Sequence, residues 1–378
     1  MKNRSAIPVL FTVILIFSGT AESQVDPFQF IRSQTLRTSI HYKSWSFSEE
    51  SGVDRFTQFA FPISYSLPVG ERLALDLITS PFMSRMAPVA GEDYKYDNLS
   101  DSYLRASYIL GDNLALVTLG AGLPSGNTDL SDEELVLAGV SASRALENPV
   151  TSFGTGLNLN LGLAVARELG GWVLGLGAGY AVRGKYDATF VGQSYEIDPG
   201  DEFNITLGAD RAFEWGGRRS KFIADFIYSN YGEDELEGLP FFEAGDKFLL
   251  RGQLIVPLAF FDPLIFTVSN RWRLDNRSNN SALVDNGDEL DLRATMYHPL
   301  RDKIRLKYLL EMKKYSNTVN DTEGADIFGF GVGVVYSFSR TLSFDPTLIY
   351  STGSIHLGPE SDVDVSALEV TGGLSFRF

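Results

Sequence analysis

Strand periodicity recurring along the chain, an alternation of short and long connections, and a final alternating segment ending on Phe378 predict an all-β protein. The architecture they predict is a transmembrane antiparallel β-barrel of about sixteen strands, with fourteen as the alternative. In the final segment Leu368, Val370, Leu374, Phe376 and Phe378 share one parity, and Glu369, Thr371, Ser375 and Arg377 share the other. Successive side chains of a strand point to opposite faces, so this segment has one apolar and one polar face. Beyond the amino-terminal region no apolar run approaches the roughly 20 residues a helix needs to span a bilayer, so any membrane is crossed by strands.

At the amino terminus, Lys2 and Arg4 precede an apolar run from Ala6 to Phe17, followed by the small residues Ser18, Gly19, Thr20 and Ala21. This is the pattern of a secretory signal peptide, expected to be cut after Ser23, which divides the chain into a leader, 1–23, and a barrel, 24–378. Cleavage removes Lys2, Arg4 and Glu22, two positive charges and one negative, so the formal charge goes from -16 to -17. An acidic chain argues against nucleic acid as a partner. There is no cysteine, hence no disulfide framework and no thiol for a lipid anchor. The length would suit two or three soluble domains, yet no linker or change of composition divides it.

Alternating segments lie near 35–46, 55–67, 71–80, 99–110, 113–123, 153–167, 171–184, 201–213, 219–231, 246–258, 263–275, 288–299, 303–315, 325–338, 341–353 and 365–378. An even number returns the carboxy terminus to the side of the amino terminus, as single-chain bacterial barrels require. One class of connection is short and rich in turn formers, such as Pro68-Val69-Gly70-Glu71, Gly111-Asp112-Asn113, Leu169-Gly170-Gly171 and Trp215-Gly216-Gly217. The other class is longer and acidic, at 129–134, 233–243, 285–289, 321–326 and 360–364. Short periplasmic turns and long external loops are expected of an outer-membrane barrel. Asp285-Asn286-Gly287-Asp288-Glu289 lacks the spacing of a calcium loop, so the acidic stretches read as solvated outer surface.

Within the strands, Leu73, Leu75 and Leu77 alternate with Ala74 and Asp76, and Phe328, Phe330 and Val332 with Gly329, Gly331 and Gly333. These are the expected lipid-facing and lumen-facing sets. Tyr42, Tyr108, Tyr180, Tyr336, Tyr350 and Phe378 are expected near strand ends, where aromatic rings favour the membrane interface.

Motifs that suggest chemistry are few. Gly175-Leu176-Gly177-Ala178-Gly179 has period two within a strand, unlike a nucleotide loop, which needs a helix after it. The three histidines, His41, His298 and His356, show no metal-ligand spacing and no local nucleophile partner. Neither an enzyme nor a cofactor is expected.

An aromatic carboxy-terminal residue closing an alternating strand resembles the terminal signal by which bacterial outer-membrane barrels are recognised by their assembly machinery. Leu99-Ser100-Asp101-Ser102-Tyr103-Leu104-Arg105-Ala106-Ser107-Tyr108, the turn at Gly111-Asp112, and Leu119-Gly120-Ala121-Gly122-Leu123-Pro124-Ser125-Gly126 resemble a hairpin of the meta-pathway phenol-degradation family of outer-membrane barrels, over residues 99–183. The resemblance implies a transport-related barrel in the outer membrane of a Gram-negative bacterium, among lipid and lipopolysaccharide. It supplies no catalytic residue.

The expected function is passive diffusion of small solutes through a porin-like channel; uptake of hydrophobic substrates through a plugged barrel and a non-conducting surface barrel are the alternatives. The third external loop contains Ser131-Asp132-Glu133-Glu134, a capping box, followed by a helix-forming stretch to Leu146. A short helix is therefore expected in or over the mouth, with Asp132, Glu133 and Glu134 at a constriction. The inward parity of the tenth to thirteenth strands carries Arg251, Arg271, Arg273, Asp291, Arg293, Arg305 and Lys307, with Glu311 among them. Arg or Lys on the lipid face would cost about 2–4 kcal/mol each at mid-depth, so these side chains are expected to line the pore. A basic wall facing the acidic loop would favour small anions; alternatively, paired charges hold a filled interior together.

Overall fold

The computed structural model describes residues 32–111, 114–190, 192–278, 281–283, 287–317, 324–358 and 361–378. The expected leader, Asp112, Asn113, Asp285, Asn286, the 321–323 stretch and Glu360 lie outside the described residues.

Among the described residues, sixteen antiparallel strands close into one barrel wall. They are Thr35–Phe47; Val53–Ala60 with Ile63–Val69; Leu73–Thr79 with Pro81–Pro88; Tyr94–Leu99 with Ser102–Leu110; Ala115–Leu123; Asn158–Leu169; Trp172–Arg183; Glu202–Trp215; Arg218–Tyr231; Lys247–Val256; Leu264–Arg273; Gly287–Arg301; Ile304–Asn317; Gly324–Ser337; Leu342–Gly358; and Ser361–Arg377. The sixteenth pairs with the first from Thr35 opposite Arg377 to Phe47 opposite Val365, and Phe378 N donates to the Gln34 carbonyl at 3.1 Å. Closure leaves no strand edge to be satisfied by water, which hydrocarbon cannot supply.

The second, third and fourth strands are interrupted side by side, at Phe61-Pro62, Ser80 and Ser100-Asp101. The wall stays hydrogen-bonded there: Ser39 N donates to Pro62 O at 3.2 Å, Phe61 N to Pro81 O at 2.8 Å and Ser100 N to Ser80 O at 3.0 Å. These breaks explain why the periodicity at 71–80 and 99–110 marks only half of the third and fourth strands. Across Ser100-Asp101 the inward parity changes, with Tyr96 inward above the break and Arg105 inward below it.

Outside, Leu161, Leu163, Leu174, Leu176, Phe328 and Phe330 are exposed. Their alternates, including Gly175, Gly177 and Gly179, face inward. Leaving such outward rows in water would be costly, and a lipid surround removes that cost. One aromatic girdle runs over the eighth to eleventh strands, with Phe203–Tyr228 centroids at 6.4 Å, Tyr228–Phe248 at 5.3 Å and Phe248–Trp272 at 5.5 Å. At the opposite end lie Tyr336–Phe338 at 4.6 Å and Phe376–Phe378 at 4.3 Å. Tyr350, expected at a strand end, instead sits within the fifteenth strand, opposite Phe330.

Short turns gather at the end that holds Gln34 and Phe378. Gly70, Gly170, Gly171, Gly216 and Gly217 all have positive φ there, the backbone region that tight turns demand. The long connections share the other end. The 233–243 stretch, read as solvated surface, carries further structure: Glu233–Leu236 and Leu239–Glu243 join Tyr186–Phe190, Gln193–Asp198, Asn276–Ser278 and Ser281–Leu283 in a second sheet of six short strands. Asp362 and Asp364, expected in a loop, are strand residues paired with His356 and Ser354.

This arrangement predicts the orientation. A tag inserted near Glu235 is expected to be labelled on intact cells, and one in the Gly70 turn only after permeabilisation; the opposite labelling would reverse the barrel in its membrane.

Candidate pore constriction

The connection between the fifth and sixth strands, residues 124–157, folds into the barrel. Its helix, α1 (Asp132–Ala142), starts at a complete capping box: Ser131 accepts from Glu134 N at 3.4 Å, and Glu134 Oε2 accepts from Ser131 N at 2.7 Å. Leu137 is fully buried and packs, with Leu130, Leu146, Val150 and Phe153, in one cluster with Trp45, Phe56, Phe82, Met86, Tyr96, Ile327 and Val363. The barrel members of that cluster carry inward parity, which places the loop inside. Phe153 stacks on Tyr96 with centroids 4.3 Å apart.

Three sets of polar contacts hold the loop. At its root Asp101, in the break of the fourth strand, takes both limbs: Oδ1 accepts from Gly126 N at 2.8 Å, and Oδ2 accepts from Thr155 N at 2.7 Å and Thr155 Oγ1 at 3.0 Å. The Leu-Pro-Ser-Gly element is thus the entering limb, and Ser125 Oγ also donates to Ser100 O at 3.0 Å. Midway, the fully buried Gln58 amide donates to Val150 O at 2.9 Å and accepts from Val150 N at 2.7 Å. Trp45 Nε1 donates to Leu146 O at 3.1 Å. At the tip Glu147 pairs with Lys313, its carbonyl accepts from Lys43 Nζ at 3.1 Å, and Arg144 pairs with Glu289.

The residues predicted to line the pore occupy one inward-facing region. Arg251 pairs with Asp225 at 3.1 Å, Arg271 with Glu289, Arg293 with Glu311 at 3.0 Å, and Lys307 with Asp345 at 2.7 Å. Arg273 is opposite Lys247, Asp291 opposite Ser269 and Lys313, and Arg305 lies over the Tyr297 ring at 5.3 Å. The acidic loop residues are placed differently from expectation. Glu134 is used in the cap, Asp132 and Glu133 sit exposed at the start of α1, and the helix lies against the third and fourth strands. The loop carboxylate that meets the basic wall is Glu147. Burial alone would raise its pKa, but Lys313, Lys43 and Arg293 outweigh this and hold it below the ordinary carboxylate value.

Sequence reading missed Asp101, Gln58, Lys43, Arg144, Glu147 and Lys313. The one available signal was Lys43 and Lys313 on the inward parity of strands, where an unpaired charge is costly and implies a partner.

On the sixth to eighth strands Gly175, Gly177, Gly179, Asn160, Asn204 and Thr206 face in, between the charged pairs Arg183–Glu202 at 2.9 Å and Lys221–Asp210 at 3.1 Å. The lumen therefore has one densely charged stretch, met by the loop tip, and one stretch whose middle is small and uncharged.

No protein-family model matches the chain, and no curated protein matches it, so the family that residues 99–183 resemble is not shown for this chain. Among solved structures the chain is similar to OprB of Pseudomonas putida, with TM-score 0.47 and 10% identity over 91% of this chain and 94% of that one. It is similar to an outer membrane channel from Pseudomonas putida F1, with TM-score 0.39 and 12% identity over 92% and 95%. It is also similar to a triple mutant of the Rhodopseudomonas blastica porin, with TM-score 0.38 and 13% identity over 91% and 99%. These neighbours are outer-membrane channels and porins. The barrel is established by the closed strand pairing itself.

Proposed function

We propose that the chain is a bacterial outer-membrane channel through which small solutes diffuse passively, narrowed by the 124–157 loop. The observation that carries this reading is the combination of a closed wall, apolar outside and polar inside, with a long connection pinned into the interior at its root, middle and tip. Lipid and lipopolysaccharide around the wall, and the assembly machinery acting on the sixteenth strand, belong to the same reading.

Uptake of hydrophobic substrates with a lateral exit is less well supported. The aligned breaks in the second to fourth strands are the natural place for such an exit, and backbone hydrogen bonds cross all of them among the described residues. Axial passage beside the loop is the better route.

Reconstituted into planar bilayers, the protein is expected to give discrete conductance steps, and deletion of residues 131–146 to raise the step size by roughly twofold or more. A folded barrel without conductance would instead be a surface protein; unchanged conductance after the deletion would show that the loop does not narrow the path.

A further inference from the structure

The ion pairs of the inner wall are asymmetric about the surface they form. Asp225, Glu289 and Glu311 are sunk into the wall, their side chains 3%, 6% and 4% exposed, while their partners Arg251, Arg271 and Arg293 keep 29%, 36% and 48%. Gly329 accounts for one of these: a Cβ there would lie 2.5 Å from Glu311 Cγ, so its absence lets that carboxylate lie across the fourteenth strand. Arg144, at 41% exposure, reaches Glu289 from the loop, so one buried carboxylate serves two guanidinium groups. Lys43 and Lys313 show the reverse, at 4% and 6% exposure. Ion pairing therefore does not neutralise what a solute meets. In these pairs the acid is hidden and the guanidinium faces the interior.

A guanidinium has five N–H donors in a planar fork, and one carboxylate partner occupies only some of them. The rest suit bidentate contact with a planar or tetrahedral oxyanion, which an ammonium group cannot match. Register spaces these forks along the path. Arg271 is opposite Leu249, the next inward pair is Arg251 with Ser269, and the next is Gln253 with Thr267, which is opposite Arg293. The groups thus follow one another at intervals of two residues, about 7 Å of strand.

We propose that Arg144, Arg271, Arg251 and Arg293 form a binding track for small solutes bearing an oxyanion, a carboxylate or a phosphate, with the loop contributing Arg144. The proposal rests on the channel reading above. Its chemistry is recognition of the anion by arginine forks backed by buried carboxylates, so it selects for oxyanions and not merely for negative charge.

The test uses the full-length protein in planar bilayers in potassium chloride, with inorganic phosphate added in one arm and succinate in another. Either anion is expected to block the chloride current, and the arm that blocks at lower concentration assigns phosphate or carboxylate. The Arg144→Lys/Arg271→Lys double variant keeps positive charge beside Glu289 while losing the forks, and is expected to raise the half-blocking concentration about tenfold, measured against the variant's own open-channel current. Arg293→Lys, whose loss leaves Glu289 untouched, gives a second reading of the same effect. A conducting wild-type channel that neither anion blocks, or block unchanged in both variants, overturns the track while the channel stands. Absence of any conductance from folded barrel overturns the channel reading and the track with it.

Discussion

Glu147→Gln is expected to release the tip of the inward loop and to widen the channel. The carboxylate of Glu147 is the loop's partner for Lys313, whose side chain is 6% exposed, and its backbone carbonyl takes the equally buried Lys43. Breaking a buried pair by removing one partner costs about 3–5 kcal/mol; about 2 kcal/mol is expected here, because Glu147 remains partly in water and Glu311 stays as a second, 3.6 Å partner of Lys313. That is enough to shift the docked population of a loop tip more than tenfold. The same group gives a pH dependence. Its carboxyl is held below the ordinary carboxylate value, so the folded state binds that proton less readily than a free loop does. The stabilisation is present in full above that unfolded value and is lost as pH falls through the lowered folded one. Wild-type conductance and protease sensitivity of the loop are therefore expected to stay constant around neutral pH and to rise only as pH falls below the ordinary carboxylate value, and Glu147→Gln to resemble the acid state already at neutral pH. A wild-type channel whose loop stays protease-resistant over that range, or a glutamine variant with wild-type conductance, would remove Glu147 from the anchoring of the loop.

What the sequence exposed and what it hid follow from the range of the interactions. Strand parity is local, so the inward placement of Arg251, Arg271, Arg273, Asp291, Arg293, Arg305 and Lys307 could be read from alternation within each segment. The capping box at Ser131 and Glu134 is equally local, and α1 begins there. The loop's position inside the barrel depends instead on distant pairs such as Gln58 with Val150 and Lys313 with Glu147, which leave no periodic trace. For the same reason the acidic group aimed at the basic wall could not be chosen from composition: Asp132, Glu133 and Glu134 are conspicuous in sequence, but a helix start uses such residues for its own cap and dipole. The outer half of the fourth strand was obscured because a parity change at Ser100-Asp101 cancels the alternation across it.

That break also holds the residue from which a second large effect is expected. Asp101→Asn should free the root of the 124–157 loop while leaving the barrel assembled. The aspartate makes three acceptor contacts, to Gly126 N, Thr155 N and Thr155 Oγ1, and so ties the entering and leaving limbs to one side chain. Asparagine keeps one acceptor oxygen and turns an NH2 group toward one limb, setting donor against donor. Hydrogen bonds to a charged group contribute about 1.5–3 kcal/mol each, and losing those on one limb leaves a backbone N–H inside the mouth without its acceptor. The limb has little freedom to find another, since Gly126 lies close against the Phe153 carbonyl and the Gly154 Cα, where no side chain would fit. Thr155→Ala, which removes the hydroxyl's contacts to Asp101 and Asn158 but keeps both backbone N–H contacts to Asp101, should have a smaller effect and serves as the scale. Single-channel recordings of Asp101→Asn are expected to show larger, flickering steps, with proteolysis confined to 124–157 and heat-modifiability unchanged. Quiet steps of wild-type size in a folded Asp101→Asn channel would mean that the hydrophobic packing around Leu137 and Phe153 holds the loop without its root.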